Sequence, residues 1–211
     1  MSDTTAEHQE PEPTPAQVRR GRRTALLLFT IGFGPMILAT VMYYTGWLHP
    51  ESRSNHGDLI EPPVPVAQLN LMGADGQPLT ARFGPDSDDA KWLLIVYAEH
   101  CGEACSQLMY LARQVNIAMG KDANRIGRAA WVGELSPELQ RNWSSEYRSM
   151  ERLRITPGGQ PAWPEQIDPA STPGILVVDP FGNMMMYYDD RHNGKGMLED
   201  LKHLMKLSKI G

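Results

Sequence analysis

The chain has 211 residues, 41% of them hydrophobic, and a formal net charge of -5. That length suits one packed domain with some extra chain, and it is short for two. No basic face stands out after the first stretch of the sequence, which excludes nucleic acid as the expected partner.

Residues 1–23 open with "SDTTAEHQEPEPTPAQ", polar, acidic and proline-bearing. Such a segment buries too little apolar surface to order itself, so the composition predicts a disordered cytoplasmic tail ending in Arg19, Arg20, Arg22 and Arg23. Thr24 to Tyr44 then carries no charge. As a helix that stretch spans roughly 30 Å, the thickness of a bilayer core. Arginines on one side and Tyr43, Tyr44 and Trp47 on the other fit the two interfaces. A cleaved signal sequence would have a shorter apolar core and a small-residue cleavage site. The sequence therefore predicts an uncleaved anchor over residues 24–46. By the positive-inside rule the N-terminus is cytoplasmic and the rest periplasmic, on the inner membrane.

Residues 47–65 contain Pro62, Pro63 and Pro65 and read as a stiffened linker. The folded domain is then expected over residues 66–211. "VAQLNLMGADGQPLTARF" reads as two short strands around a turn. "WLLIVYAE", Trp92 to Glu99, is a continuous apolar run and predicts a strand buried on both faces. Leu108, Leu111, Ala112, Val115 and Met119 follow at helical spacing, and Gly120 ends that helix. Arg125 to Gly133 predicts a second inner strand. Ser136 and Pro137 are a cap and first-turn pair that starts another helix. Residues 154–171 show no periodicity and read as loop. "PGILVVDPFGNMMMYYDD" predicts a hairpin, and Leu198, Leu201, Leu204 and Met205 mark a closing helix. A βαβ unit followed by a hairpin and helix predicts an α/β, thioredoxin-like sandwich with one N-terminal transmembrane helix.

The two cysteines of the chain stand in "YAEHCGEACSQL", as Cys101 and Cys105. Cys101 falls at the end of the buried strand and Cys105 in the first turn of the next helix. Peptide N–H groups and the helix dipole favour a thiolate there. The spacing admits a disulfide staple, a dithiol redox centre or a soft-metal site for Cu(I). A bridge this local stabilises little, which weighs against a purely structural role. An imidazole would complete a copper site. His100, directly before Cys101, and His192, in a polar loop where solvation is expected, are the weak candidates; His203 reads as a surface residue. Met184 to Met186 are further soft donors, although core packing explains part of that run. Pro173, preceded by Thr172, stands just before an inner strand, where thioredoxin-like folds place a cis-proline, and is expected to be cis.

"EHCGEAC" resembles the T-H-C-P-x-x-C element of the Sco/SenC family, the membrane-anchored thioredoxin-like proteins of cytochrome c oxidase assembly. The single anchor and the "ILVVDPFGN" hairpin are similar to that family as well. The resemblance implies Cys101 and Cys105 as the working pair, copper as a conceivable cargo, and an oxidase subunit or copper chaperone as partner. It also marks two departures. Ser171 stands where the family has its copper-binding histidine, and Gly102 replaces the proline after the first cysteine. These departures move the expectation from a copper carrier with a non-standard third ligand, or an assembly scaffold, toward thiol–disulfide chemistry. In that chemistry Cys101 exchanges with the partner and Cys105 resolves.

Overall fold

The computed structural model describes residues 14–45, 55–84, 87 and 90–208, in two units, one ending at Arg53 and one beginning at Ser54. The first contains the helix α1, Pro15–Thr45. It is long and apolar enough to cross a membrane. Residues 1–13 of the expected disordered tail lie outside the described residues, but the rest of that tail is helix. The helix starts at Thr14, whose N–H is taken up by the Gln17 side chain, one half of a capping box. Gln17 Oε1 accepts from both the Thr14 backbone N–H (2.8 Å) and its hydroxyl (2.9 Å), with Pro15 at the first helical position. The arginines are good helix formers and carry the helix through without a break. Within the apolar stretch, the Thr30 and Thr40 hydroxyls donate to the carbonyls of Leu26 and Met36, both at 2.8 Å. No side-chain hydroxyl of these two is left unsatisfied where hydrocarbon would offer it no partner.

The second unit is built on a seven-stranded mixed sheet in the order β1-β7-β6-β3-β4-β5-β2. Its strands are β1 (Asp58–Pro65), β2 (Leu71–Met72), β3 (Trp92–Cys101), β4 (Ile126–Leu135), β5 (Glu151–Ile155), β6 (Gly174–Val178) and β7 (Asn183–Tyr188). The helices are α2 (Glu103–Ala118), α3 (Pro137–Glu146) and α4 (Gly194–Leu207). β3, β4 and β5 run parallel, while β6 runs antiparallel to β3 and to β7.

β3 is buried on both faces, as its uninterrupted apolar run requires. Leu94, Val96 and Ala98 share one core with Leu108, Met109 and Ala112 of α2 and Met197 and Leu201 of α4. Leu93, Ile95 and Tyr97 share the other with Leu69, Leu79 and Trp163, which come from 3₁₀ turns and a long loop rather than from helices. Asn116 fastens the end of α2 to the start of β4 by donating to the carbonyls of Ala123 (3.0 Å) and Ile126 (3.1 Å). Asp179 builds the final hairpin turn, accepting from the N–H groups of Phe181 (2.9 Å) and Asn183 (2.8 Å). Gly182 supplies the positive φ of 88° that this turn needs.

Three expectations are corrected. Residues 47–54 of the expected linker lie outside the described residues, but 58–65 are the edge strand β1. An edge strand tolerates prolines, because one side needs no ladder donors. Between Leu59↔Met186 and Val64↔Met184 the register slips, and Pro62 and Pro63 fall inside that irregularity. Ile60 nevertheless packs into the core beneath it. The folded unit therefore starts about ten residues before the expected position. The expected first hairpin is instead two 3₁₀ turns, Val66–Leu69 and Leu79–Arg82, around the short β2. Finally, β5 takes Arg154 and Ile155 from the expected loop, together with residues 151–153, to which the sequence pattern assigns no element.

Residues 55–57 are fixed to α4 by the buried carboxylate of Asp200. It accepts from the backbone N–H groups of His56 (2.8 Å) and Gly57 (3.0 Å) and from the Tyr188 hydroxyl (2.8 Å). His56 Nδ1 lies 3.0 Å from its other oxygen. Burial raises the Asp200 pKa, but these donors outweigh it and hold the carboxyl below its ordinary value.

Candidate functional site

β3 delivers Cys101 to its C-terminal end, Gly102 caps α2, and Cys105 lies in the first turn of that helix. The local geometry is fixed by the ladder and the helix start. His100 pairs with Glu134 and Cys101 with Leu135 across to β4, and Ser106 closes the turn through its hydroxyl to the Gly102 carbonyl at 3.0 Å. Cys101 and Cys105 form a disulfide with their Cα atoms 5.0 Å apart. Both are buried, Cys101 at 5% exposure and Cys105 at 1%, and both pack with Leu108, Met109 and Leu139.

Cys101 lines an open cleft of about 450 Å³; Cys105 does not. Gly102, Glu103 and Ser106 form one wall and Glu138, Asn142 and Tyr147, from α3 and its end, form the other. The α3 wall begins at Ser136, which caps that helix after β4, its hydroxyl accepting from Leu139 N–H at 3.2 Å. Sequence reasoning missed these α3 residues. Ser136 was legible as a cap, but nothing local says that the helix it starts faces the cysteines.

Gly133 keeps the sheet tight beside the site. A Cβ there would stand 2.6 Å from the Glu99 carbonyl oxygen, which is backbone and cannot swing away. Gly133→Ala is expected to lower stability by about 1–3 kcal/mol, measured by urea unfolding, through displacement of β3 next to His100.

The structure brings the two cysteines together and leaves the two histidines elsewhere. His100 is exposed, its Nε2 3.5 Å from Glu134 Oε2. His192 is not solvated as expected. Its side chain is only 11% exposed, Nδ1 sits 2.9 Å from Asp189 Oδ1, and the ring meets Tyr188 edge-on. The turn after β7 folds the imidazole back onto the sheet edge, which a polar loop sequence does not reveal. Among the described residues no three His, Cys, Asp or Glu side chains are grouped to hold a metal. Met184 and Met186 are buried, one in each core, because a register shift between Val177 and Val178 sends them to opposite faces. His203 is exposed on α4, as a surface residue should be.

The cis-proline expectation is overturned. Among the described residues the cis peptide bond is Glu61–Pro62, so Thr172–Pro173 is trans. Asp168 explains the simpler path. Its carbonyl accepts from Ser171 N–H (3.2 Å) and Thr172 N–H (3.0 Å), and its carboxylate takes the Ser171 hydroxyl (2.5 Å) and Ala170 N–H (3.1 Å). This turn leads Pro173 into β6 in the ordinary trans form. The Ser171 hydroxyl bond, with the Ala170 N–H, also holds the Asp168 carboxyl below its ordinary value. Ser171 is thus committed to its own loop.

No curated protein matches the sequence. Solved structures similar to the chain include yeast Sco1, at 12% identity, covering 71% of this chain and 96% of that one with a TM-score of 0.49. Copper-bound ScoI of Bradyrhizobium japonicum is 18% identical, with 70% and 98% covered and a TM-score of 0.41. A thio-disulfide isomerase from Thermus thermophilus is 16% identical, with 73% and 98% covered and a TM-score of 0.45. Two family models match the sequence itself. The transmembrane-like N-terminal domain matches residues 15–46, the stretch that forms α1. The transmembrane-like, thioredoxin-like C-terminal domain matches residues 92–208, which hold the βαβ unit, the disulfide and the closing hairpin and helix. The chain belongs to this transmembrane-like, thioredoxin-like family.

Proposed function

We propose that the chain is a membrane-anchored thiol–disulfide exchange protein, with its N-terminus cytoplasmic and its folded domain in the periplasm. The observation that carries this reading is the asymmetry of the disulfide: Cys101 lines an open cleft while Cys105 lies behind it in the first turn of α2. A partner thiolate attacks Cys101 Sγ, forming a mixed disulfide and breaking the Cys101–Cys105 bond. Cys105 leaves as a thiolate, which the N–H groups and dipole of α2 stabilise. The partner's second thiolate then displaces Cys101, so two electrons pass from a partner dithiol to the domain. Run backwards, the same steps reduce a partner disulfide.

The sequence resemblance of "EHCGEAC" supports a setting in cytochrome c oxidase maturation, with the copper-site cysteines of an oxidase subunit or of a copper chaperone as substrate. The residues present do not complete a Cu(I) site of two sulfurs and an imidazole. The sulfurs are joined to each other, His100 and His192 are engaged by Glu134 and Asp189, and Ser171 offers no imidazole. No step here runs through copper.

Equilibration of the full chain in detergent micelles with graded dithiothreitol ratios tests the proposal. A single two-electron transition is expected, lost in both Cys101→Ser and Cys105→Ser. A disulfide that no reductant opens until the domain is denatured would defeat the reading.

A further inference from the structure

We propose that the cleft beside Cys101 receives a cationic, cysteine-bearing segment of the partner protein. The inference rests on the exchange reading above and names the substrate class of that site. Three carboxylates, Glu103, Glu138 and Glu146, line the cleft, and no lysine or arginine does. None of the three forms an ion pair among the described residues; Glu103 only accepts from the Gln107 side chain at 3.3 Å. The Asn142 side chain, also in the wall, makes no hydrogen bond among the described residues. These groups are free to meet a ligand, unlike Asp189 and Glu151, which are paired with Arg191 and Arg82.

The placement has a chemical consequence. The attacking group is a thiolate, and unpaired carboxylates around Cys101 repel it. An anionic thiol such as glutathione meets that repulsion in full. A thiolate flanked by lysine or arginine carries its own compensation, and the same carboxylates then steer it toward the disulfide. Tyr147 supplies an apolar wall for the body of the segment, as grooves for peptides commonly have. The cleft therefore excludes the small anionic thiol pool and admits basic, cysteine-bearing chain.

The test uses the oxidised full chain in micelles and three synthetic dithiol peptides whose cysteine pair is flanked by lysine, serine or glutamate. Each reaction consumes one peptide dithiol and one protein disulfide and yields one peptide disulfide and one protein dithiol. At low ionic strength the lysine peptide should react about tenfold faster than the glutamate peptide, and the ratio should shrink toward one as salt rises past about 0.5 M. The charge-reversed variant Glu138→Lys/Glu146→Lys should invert the order, an outcome that loss of folding cannot mimic. Equal rates for all three peptides at low salt would overturn the cationic substrate while leaving exchange intact. Absence of exchange with every peptide would overturn the exchange reading itself.

Discussion

Replacing Asp200 by alanine should lower the stability of the folded domain by about 3–5 kcal/mol, a fall in Tm of roughly 8–15 °C for a domain of this size. The Gly57 N–H and the Tyr188 hydroxyl are both buried; the first loses its acceptor and the second keeps only the Met186 sulfur, a weak one, while His56 is half exposed and water can replace its partner. Each buried group left unpaired costs about 1–3 kcal/mol. The effect reaches the edge strand, because residues 55–57 lead directly into β1. It is also pH-dependent. The Asp200 pKa is depressed on folding, so its contribution is complete above the ordinary carboxylate range and is lost as pH falls through the folded value. His56 runs the other way. Its pKa is raised, chiefly by the bond to Asp200, so its contribution is complete below its ordinary value of 6.5 and fades as pH rises through the folded one. Thermal melts of the wild type should therefore weaken in acid below about pH 4, with a smaller loss as pH rises above the ordinary imidazole value of 6.5 through the raised one, and Asp200→Asn should flatten both.

Replacing Trp163 by alanine should cost about 2–4 kcal/mol. The face of the sheet opposite the helices is covered by a loop, residues 156–173, and Trp163 is its anchor. The ring stands 5.2 Å from both Tyr97 and Trp131, centroid to centroid. Such aromatic contacts add to the area buried. Hydrogen bonds from Thr156 N–H to the Asn70 carbonyl (2.8 Å) and from Ala162 N–H to Gln68 (2.9 Å) hold the same loop. Its far end receives the Glu99 N–H at the Pro169 carbonyl, 3.0 Å away and two residues before Cys101. Amide exchange at Glu99 should accelerate in Trp163→Ala in step with the loss of stability. Unchanged protection there would mean that the loop is held without its tryptophan.

The elements legible in the sequence were those whose signals are local. The run Trp92 to Glu99 declared a buried strand, Ser136-Pro137 a helix start, and the spacing of Leu198 to Met205 a closing helix. β1 was hidden because prolines carry the same local meaning in an edge strand as in a linker, and only its pairing with β7 separates the two. β5, "ERLRI", is short and charged, so no alternation marks it against the preceding helix. At the site, the cysteine pair was legible from position alone. Its cleft was not, since Glu138, Asn142 and Glu146 join Cys101 in lining it only through the tertiary fold. The Thr172–Pro173 expectation came from the fold type, and the Asp168 turn overrode it. The clasp of His56 to Asp200 joins residues 144 apart and leaves no trace in either segment.

The most direct measurement compares the two single-cysteine variants of the full chain against an activated peptide disulfide under native conditions. Cys105→Ser leaves Cys101, on the cleft; Cys101→Ser leaves Cys105, buried behind it. Exchange through Cys101 predicts that Cys105→Ser forms a mixed disulfide faster, because Cys101, although only 5% exposed, borders the cleft, while Cys105 does not and reacts only after a larger local opening. Equal rates, or a faster Cys105, would contradict it.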